Sequence, residues 1–237
     1  GDFVISDATL NRFFAFHVIA VPLVLLGLVV MHLVALHEVG SNNPDGIEIK
    51  KHKDPATGIP LDGIPFHPYY TVKDILGVCV FLIVFSVILF FTPEMGGYFL
   101  EANNFVPADP FKTPEHIAPL WYFTAYYSIL RAVPPMFDSQ FPGVIAMGMA
   151  IVVLFLLPWL DKSPVKSIRY RGAIYKWALT LFIASFLILS YLGTLSTTTE
   201  RTLVAQVCSV IYFLFFILMP WYTRMDKTKP EPERVTA

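Results

Sequence analysis

Cysteine is scarce in this sequence, which contains only Cys79 and Cys208. Neither belongs to a C-x-x-C-H pattern, so covalent attachment of a c-type haem within the segment is excluded. Both cysteines lie inside apolar runs, where we predict that they are packing residues. The formal net charge is only −1 at pH 7, and it gives no support for nucleic-acid binding.

Charged residues are also few. They make up 15% of the chain, whereas 55% of the residues are hydrophobic. The mean hydropathy is +0.60. This composition is typical of a membrane protein and excludes an ordinary soluble domain.

Long apolar runs are abundant in the sequence. Runs of this length can cross a bilayer as helices, and there are five: Phe13–Leu36, Ile75–Phe91, Val144–Leu160, Ala173–Leu192 and Leu203–Tyr222. Tryptophan and tyrosine gather at the run ends, as in interfacial belts. The predicted fold is an all-α, polytopic transmembrane helix bundle with five spans and short interfacial helices in the outer loop.

The distribution of basic residues predicts the orientation. Segments 37–73, 161–173 and 223–237 hold most of the lysines and arginines. The positive-inside rule therefore places these segments and the C-terminus in the cytoplasm. An outer N-terminus without methionine or signal peptide predicts the C-terminal part of a longer chain, preceded by an odd number of spans. We expect the tail, residues 227–237, to be disordered and solvated.

Two histidines stand out within the first apolar run. His17 and His32 are fifteen positions apart, which corresponds to roughly 22 Å along a helix and a net rotation of about 60°. Both imidazoles therefore point to broadly the same side, one near each membrane surface. An imidazole in hydrocarbon is costly without a partner. Two stacked haems fit the spacing, and hydrogen bonds to neighbouring helices are the alternative.

Long, collinear motifs surround these histidines and continue along the chain: Ala8–His17 (ATLNRFFAFH), Leu36–Pro44 (LHEVGSNNP), Ile64–Gly77 (IPFHPYYTVKDILG), Pro119–Tyr122 (PLWY) and Ile129–Pro134 (ILRAVP). These motifs resemble cytochrome b of the cytochrome bc complex, the ubiquinol–cytochrome c reductase. The resemblance covers essentially the whole chain. By this likeness the segment holds the fourth to eighth helices of an eight-helix subunit.

The resemblance implies that His17 and His32 each supply one axial ligand to a non-covalent haem b. His17 would hold the low-potential haem and His32 the high-potential haem, with the second ligands in the N-terminal portion of cytochrome b. The mitochondrial form has one residue fewer between these ligands. Pro22 lies between them and can bend the helix, so the additional residue need not break ligation. The additional residue itself indicates a bacterial or plastid-like variant.

A second group resembles the quinone-reducing site of the family. It comprises His37, Ser41, Lys73 and Asp74. An imidazole and a carboxylate near solvent can deliver the two protons that quinone reduction requires. The alternative is that His37 and Glu38 cap a helix end while Lys73 and Asp74 form a surface pair.

The long outer segment, residues 92–143, is too long to be a bare connector. Thr113–Glu115 is typical of a helix start, with proline in the first turn. Residues 117–133 mix apolar and aromatic side chains with few charges, which predicts a short interfacial helix.

The same segment resembles the P-E-W-Y region that lines the quinol-oxidising pocket of the family. The matching residues are Pro119, Trp121, Tyr122 and Tyr127. Their alternative role is to anchor an interfacial helix by its aromatic side chains. Leu120 occupies the position of the glutamate that the family uses to accept a proton from quinol, and a leucine cannot do so. Either another group accepts that proton or quinol oxidation is slow. The candidates are Glu94, Glu115, Tyr127 and a carboxylate in the N-terminal portion.

The resulting functional prediction is a di-haem b electron-transfer subunit of a quinol–cytochrome c oxidoreductase. It would oxidise quinol outside and reduce quinone inside, and so couple electron transfer to proton translocation. The alternatives are a di-haem b membrane anchor of a quinone-linked dehydrogenase and a haem-free transporter with a histidine proton relay.

The predicted regions are 1–74, with the first span and the quinone-reducing loop, and 75–237, with four spans and the quinol-oxidising loop. Expected partners are a Rieske-type iron–sulfur protein, a c-type cytochrome subunit, the N-terminal portion of cytochrome b, membrane lipids and a second copy in a homodimer. The expected location is a bacterial inner membrane. The sequence alone identifies neither the quinone nor the haem potentials.

Overall fold

The computed structural model describes residues 6–107, 109, 111–112, 114 and 117–236. Across this part of the chain the regular elements are all helical, with no β-strand. Two isolated β-bridges pair Lys53 with Pro60 and Met136 with Ser139. The prediction of an all-α fold is therefore confirmed.

Nine α-helices are present in the described residues: α1 (Asp7–Ala15), α2 (Val21–Val39), α3 (Tyr69–Phe91), α4 (Thr124–Ala132), α5 (Phe141–Phe155), α6 (Leu157–Leu160), α7 (Ala173–Gly193), α8 (Thr199–Ile217) and α9 (Met219–Met225). A π turn, Phe16–Ala20, joins α1 to α2. Short 3₁₀ turns cover Ile49–Lys51, Met95–Gly97, Ala102–Phe105 and Trp121–Phe123.

Four helical runs are long and apolar enough to cross a membrane. They are Asp7–Val39, Tyr69–Phe91, Ala173–Gly193 and Thr199–Ile217, with 33, 23, 21 and 19 residues. The fifth predicted span is divided between α5, with 15 residues, and the four-residue α6. Pro158 lies in the first turn of α6 and has no amide hydrogen to donate. The exact count of five spans is therefore not confirmed.

The chain divides into two compact units. One consists of 1–43 with 108–113, and the other of 44–107 with 114–237. This division concerns backbone contacts within each unit. The functional boundary predicted at residue 74 stays a prediction.

Two of the apolar helices have no buried side chain among the described residues. In the first unit this holds for α2. In the second unit it holds for α3, where Cys79 is exposed, so its packing role stays a prediction. Helices that are apolar on all sides require lipid or protein around them. Cys208 on α8, in contrast, is buried as predicted.

The core of the second unit lies among α4, α5, α7 and α8. Its largest buried side chains include Ile129, Leu189, Tyr212 and Phe216. The Tyr212 hydroxyl donates to the carbonyl of Ala150 at 2.8 Å, which joins α8 to α5. A buried phenol needs such a partner, because an unpaired hydroxyl in an apolar core is costly.

The close contact between α4 and α7 depends on a glycine, Gly193, which has no side chain. A Cβ atom built on Gly193 would collide with the backbone of Thr124 at the start of α4. Close to this contact, Arg131 donates to the carbonyls of Leu192 and Leu195 at 2.9 and 3.0 Å. These carbonyls lie at the C-terminal end of α7, where a cation is favoured. The arginine thus fixes α4 against α7.

The tail after α9 is ordered, so the prediction of disorder is wrong for residues 227–236, whereas most of these residues are exposed to solvent as predicted. The amide of Lys229 donates to the carbonyl of Tyr170 at 2.7 Å. The Glu231 carboxylate accepts from the amide of Lys166 at 3.1 Å. Composition predicted a solvated end, but polar side chains can equally bind a polar surface of the same protein.

Candidate functional site

A π turn interrupts the apolar helix that carries His17 and His32. It covers Phe16–Ala20, and the amide of Val21 donates to the carbonyl five residues earlier instead of four. Pro22 provides the physical reason. It has no amide hydrogen, and its ring clashes with the carbonyl that precedes it by four residues in an α-helix. The wider turn takes up about one additional residue.

The π turn changes the angle between the two imidazoles. With one residue taken up, His17 and His32 are related by about fourteen α-helical steps instead of fifteen. Fourteen steps correspond to about 21 Å and to a rotation of about 40° in the opposite sense to the predicted 60°. The two rings remain on one side of the helix. The additional residue is therefore accommodated by a π turn rather than only by a bend.

The surroundings of both imidazoles fit a group that each ring binds through one nitrogen. The stripe between them consists of aliphatic side chains, including Val21, Leu25 and Leu28. Neither ring has a hydrogen-bond or ion-pair partner among the described residues. Within that same part of the chain, no cluster of three metal-ligating side chains exists. An imidazole on an apolar stripe fits a haem, whose iron binds a histidine nitrogen.

His37 lies near the end of α2, on a different face from His32. Five helical steps separate them, which is about 140° around the axis. His37 and Glu38 line one open depression with apolar residues of the same helix. Ser41 follows Gly40, whose φ of 83° ends the helix.

Lys73 and Asp74 belong to the other compact unit, in the second turn of α3. The Lys73 ammonium lies 5.6 Å from the ring centroid of Tyr70, a cation–π distance. Both residues are exposed. Their grouping with His37 and Ser41 stays a prediction of the sequence.

The aromatic segment, Pro119–Tyr127, leads into α4. The ring of Trp121 stacks on Tyr98 at 6.3 Å with an interplanar angle of 14°, and meets Tyr122 edge-on at 5.4 Å. Trp121 and Tyr122 are exposed to solvent, whereas Pro119 and Tyr127 are partly buried. The segment therefore presents an aromatic surface whose inner side is held by the bundle.

The helix in this segment begins later than predicted. Pro114 and residues 117–120 are not helical, and α4 begins only at Thr124, after the 3₁₀ turn Trp121–Phe123. The hydroxyl of Thr124 donates to the carbonyl of Trp121 at 2.7 Å and so stabilises this entry. The other two residues of the predicted start, at positions 113 and 115, lie outside the described residues.

Leu120 is the residue that the resemblance aligns with the family's proton-accepting glutamate, and that role stays a prediction. Leu120 immediately precedes the 3₁₀ turn and is about half exposed. Of the candidate replacements, Glu94 is exposed before the turn Met95–Gly97. Glu115 lies outside the described residues.

Sequence reasoning missed Arg131 as part of this surface. Its guanidinium carbon lies 4.4 Å from the ring centroid of Tyr127, so the cation covers one face of that ring. The same side chain is fixed by the carbonyls at the end of α7. A lone charge within an otherwise apolar and aromatic stretch was the available signal.

Comparison with known proteins gives a consistent family match. Residues 1–97 match the family model described as cytochrome b(N-terminal)/b6/petB. Residues 107–213 match the model described as cytochrome b(C-terminal)/b6/petD. Together the two models cover most of the chain.

Individual relatives agree with this match. Cytochrome b of Allochromatium vinosum is 62% identical over all of this chain and 58% of its own length. Cytochrome b of Rhodospirillum rubrum is 42% identical over all of this chain and 55% of its own length.

A solved structure described as a hyperthermophilic respiratory Complex III superposes with a TM-score of 0.81 at 38% identity, over 94% of this chain and 53% of that one. The chain thus spans little more than half the length of the proteins it matches. From the two family models, the identities and this superposition, the chain belongs to the cytochrome b family.

Proposed function

We propose that this chain carries electrons across a membrane as the di-haem b part of a quinol–cytochrome c oxidoreductase. The observation that supports this most directly is the helix Asp7–Val39. It presents His17 and His32 on one side, about 21 Å apart, with no partner for either ring among the described residues. A membrane anchor of a dehydrogenase would share paired histidines but not the aromatic segment.

The two imidazoles hold and orient the haems. When bound, haems there would supply one-electron transfer along the helix. His17 and His32 determine the height and the side of each group. The aliphatic stripe between them excludes water and charge.

The aromatic segment is the proposed quinol-oxidising surface on the outer side. Trp121 and Tyr122 offer ring faces and edges to a quinol ring. The Tyr127 hydroxyl or the exposed Glu94 carboxylate takes the proton that Leu120 cannot take. Arg131 keeps the Tyr127 ring in place.

The quinone-reducing site is proposed at the opposite end of the histidine helix. His37 and Asp74 provide protons from the aqueous side, and Ser41 and Lys73 bind the quinone oxygens. Release of protons outside and uptake inside would convert redox energy into a proton gradient.

The proposed setting is a bacterial inner membrane with the C-terminus in the cytoplasm. Each of the four long helices crosses the membrane, and α5 with α6 forms a fifth, broken span. The partners would be a Rieske-type iron–sulfur protein, a c-type cytochrome subunit, lipids and a second copy of the subunit. The second haem ligands would come from another part of cytochrome b. The match of residues 1–97 to the N-terminal family model does not support assignment of the segment to the C-terminal portion alone.

The histidine assignment is tested by counting haems in the purified complex. We expect His17→Leu and His32→Leu each to remove one of two b-type haems, measured by pyridine haemochrome and redox titration. His52→Leu, on the exposed loop after α2, is the matched control and should retain both. Full haem content in either helix variant would contradict the proposal.

A further inference from the structure

The tail, residues 227–236, is bound to two polar segments of its own compact unit. One is the loop 44–63, which follows α2 in the sequence, and the other is the connection 161–172 before α7. The backbone contact of Lys229 with Tyr170 fixes the beginning of the tail. Its end reaches the first loop through two further side chains.

The first of these contacts surrounds Asp45, whose side chain is fully buried. The amide and hydroxyl of Thr236 both donate to one carboxylate oxygen at 2.9 Å. The hydroxyl of Tyr170 donates to the other oxygen at 2.7 Å, and Arg169 donates to the same atom at 3.1 Å. Residues far apart in sequence thus meet on one buried carboxylate.

The second contact lies at the far end of the same loop. The Arg234 guanidinium donates to Asp62 Oδ1 through Nη2 at 2.6 Å and through Nε at 3.1 Å. An arginine that donates through two nitrogens restricts the orientation of the carboxylate as well as its distance. Near the start of the loop, Glu48 pairs with Lys51 of the same loop and with Lys166 of the connection before α7. The loop is therefore held near its start and at its end.

From these contacts we propose that the tail is a strap that positions the loop after Ser41. Asp45 is four residues beyond Ser41 and eight beyond His37, so holding Asp45 restricts the backbone freedom of the short segment that follows Ser41. Asp45 and Thr236 are thus positioning residues. The inference rests on the proposed quinone-reducing role of His37 and Ser41.

Limited trypsin digestion of the complete, haem-loaded complex tests the strap itself. The loop carries three lysines, Lys50, Lys51 and Lys53, all available as cleavage sites when it opens. We expect Thr236→Val to increase cleavage there about tenfold, because a hydrogen bond to a charged group is lost and cleavage follows the open population. Thr228→Val is the matched control, since its hydroxyl bonds to no other described residue.

A charge exchange tests the other contact without removing the tail. Arg234→Asp and Asp62→Arg should each increase cleavage, and the double variant should restore resistance. If the double variant is cleaved as fast as either single variant, the pair does not fasten the loop. If Thr236→Val and its control are cleaved equally, Asp45 does not fasten it either.

Positioning is tested by quinone kinetics at the inner site. With the outer site inhibited, a short-chain quinol reduces the His32-bound haem. We expect Thr236→Val to raise the KM for this quinol several-fold with kcat within about twofold, and His37→Ala to lower kcat. Faster cleavage with an unchanged KM overturns the positioning role while leaving the proposed function intact. An unaffected His37→Ala variant overturns the quinone assignment, and the strap then stands on the digestion alone.

Discussion

The π turn allows a prediction about the length of the histidine helix. Insertion of one alanine after Ile19 adds a residue that the existing turn cannot take up, so His17 rotates by about 100° relative to His32. With side-chain ends about 5.5 Å from the helix axis, this rotation moves the imidazole by about 8 Å. Metal–ligand distances tolerate only about 0.2 Å. The variant should therefore lose one haem.

Removal of one residue should have the opposite outcome. Deletion of Ile19 together with Pro22→Ala allows a regular α-helix through this region, in which His17 and His32 are fourteen steps apart. The angle between them then stays near 40°, and both haems should be retained. Alanine inserted after Ala35 is the control, because it leaves the spacing of the two histidines unchanged.

The assay is the ratio of b haem to polypeptide in the purified complex, with the two midpoint potentials from a redox titration. A regular fifteen-step helix would instead predict that both changes remove a haem, because each would rotate His17 by about 100° relative to His32. Retention of two haems by the insertion variant, or loss of one by the deletion variant, would therefore refute the role assigned to the π turn.

Three other predictions concern the second unit. Leu120→Ala should leave the pH profile of quinol oxidation unchanged, and a displaced pKa in that profile would show that the position affects proton transfer. Gly193→Ala should destabilise the protein by about 1–3 kcal/mol in thermal unfolding, because the new methyl meets the backbone of Thr124; Gly148→Ala, where a Cβ atom has open space, should not. The hydroxyl of a neighbouring tyrosine and an amide of the tail hold the pKa of Asp45 at about 2, below its ordinary value of 3.8. The contribution of Asp45 to stability should then be complete above pH 3.8 and be lost as the pH falls through about 2. Hydrogen exchange should show this as a loss of protection of the tail amides at low pH, and Asp45→Asn should remove this pH dependence.

The family and the long helices could be predicted from the sequence because each depends on local features. An apolar run such as Tyr69–Phe91 indicates a spanning helix by length alone. The motif around His17 is similarly continuous in sequence. The start of α4 could not be predicted in the same way. Pro114 is typical of a helix start, but no helix begins there, and α4 begins only at Thr124.

The π turn could not be predicted from the hydrophobicity of the sequence. Every residue from Phe16 to Ala20 except His17 is apolar, so α-helical and π-helical winding have the same composition. Only Pro22 gives a signal, because it removes a backbone donor. Rotational position around the axis, which decides whether both rings face one side, therefore depends on backbone geometry.

The tail was predicted incorrectly for a different physical reason. Charged and small residues favour solvent when nothing complementary is near, and no local pattern shows that Thr236 lies beside Asp45. The partners are 191 positions apart. Contacts of this kind are fixed by the fold of the whole unit, in which α8 and α9 return the chain to the loop after α2. Because Thr236 and Asp45 are so far apart in sequence, their contact can hold the loop that follows the histidine helix against a distant part of the same unit.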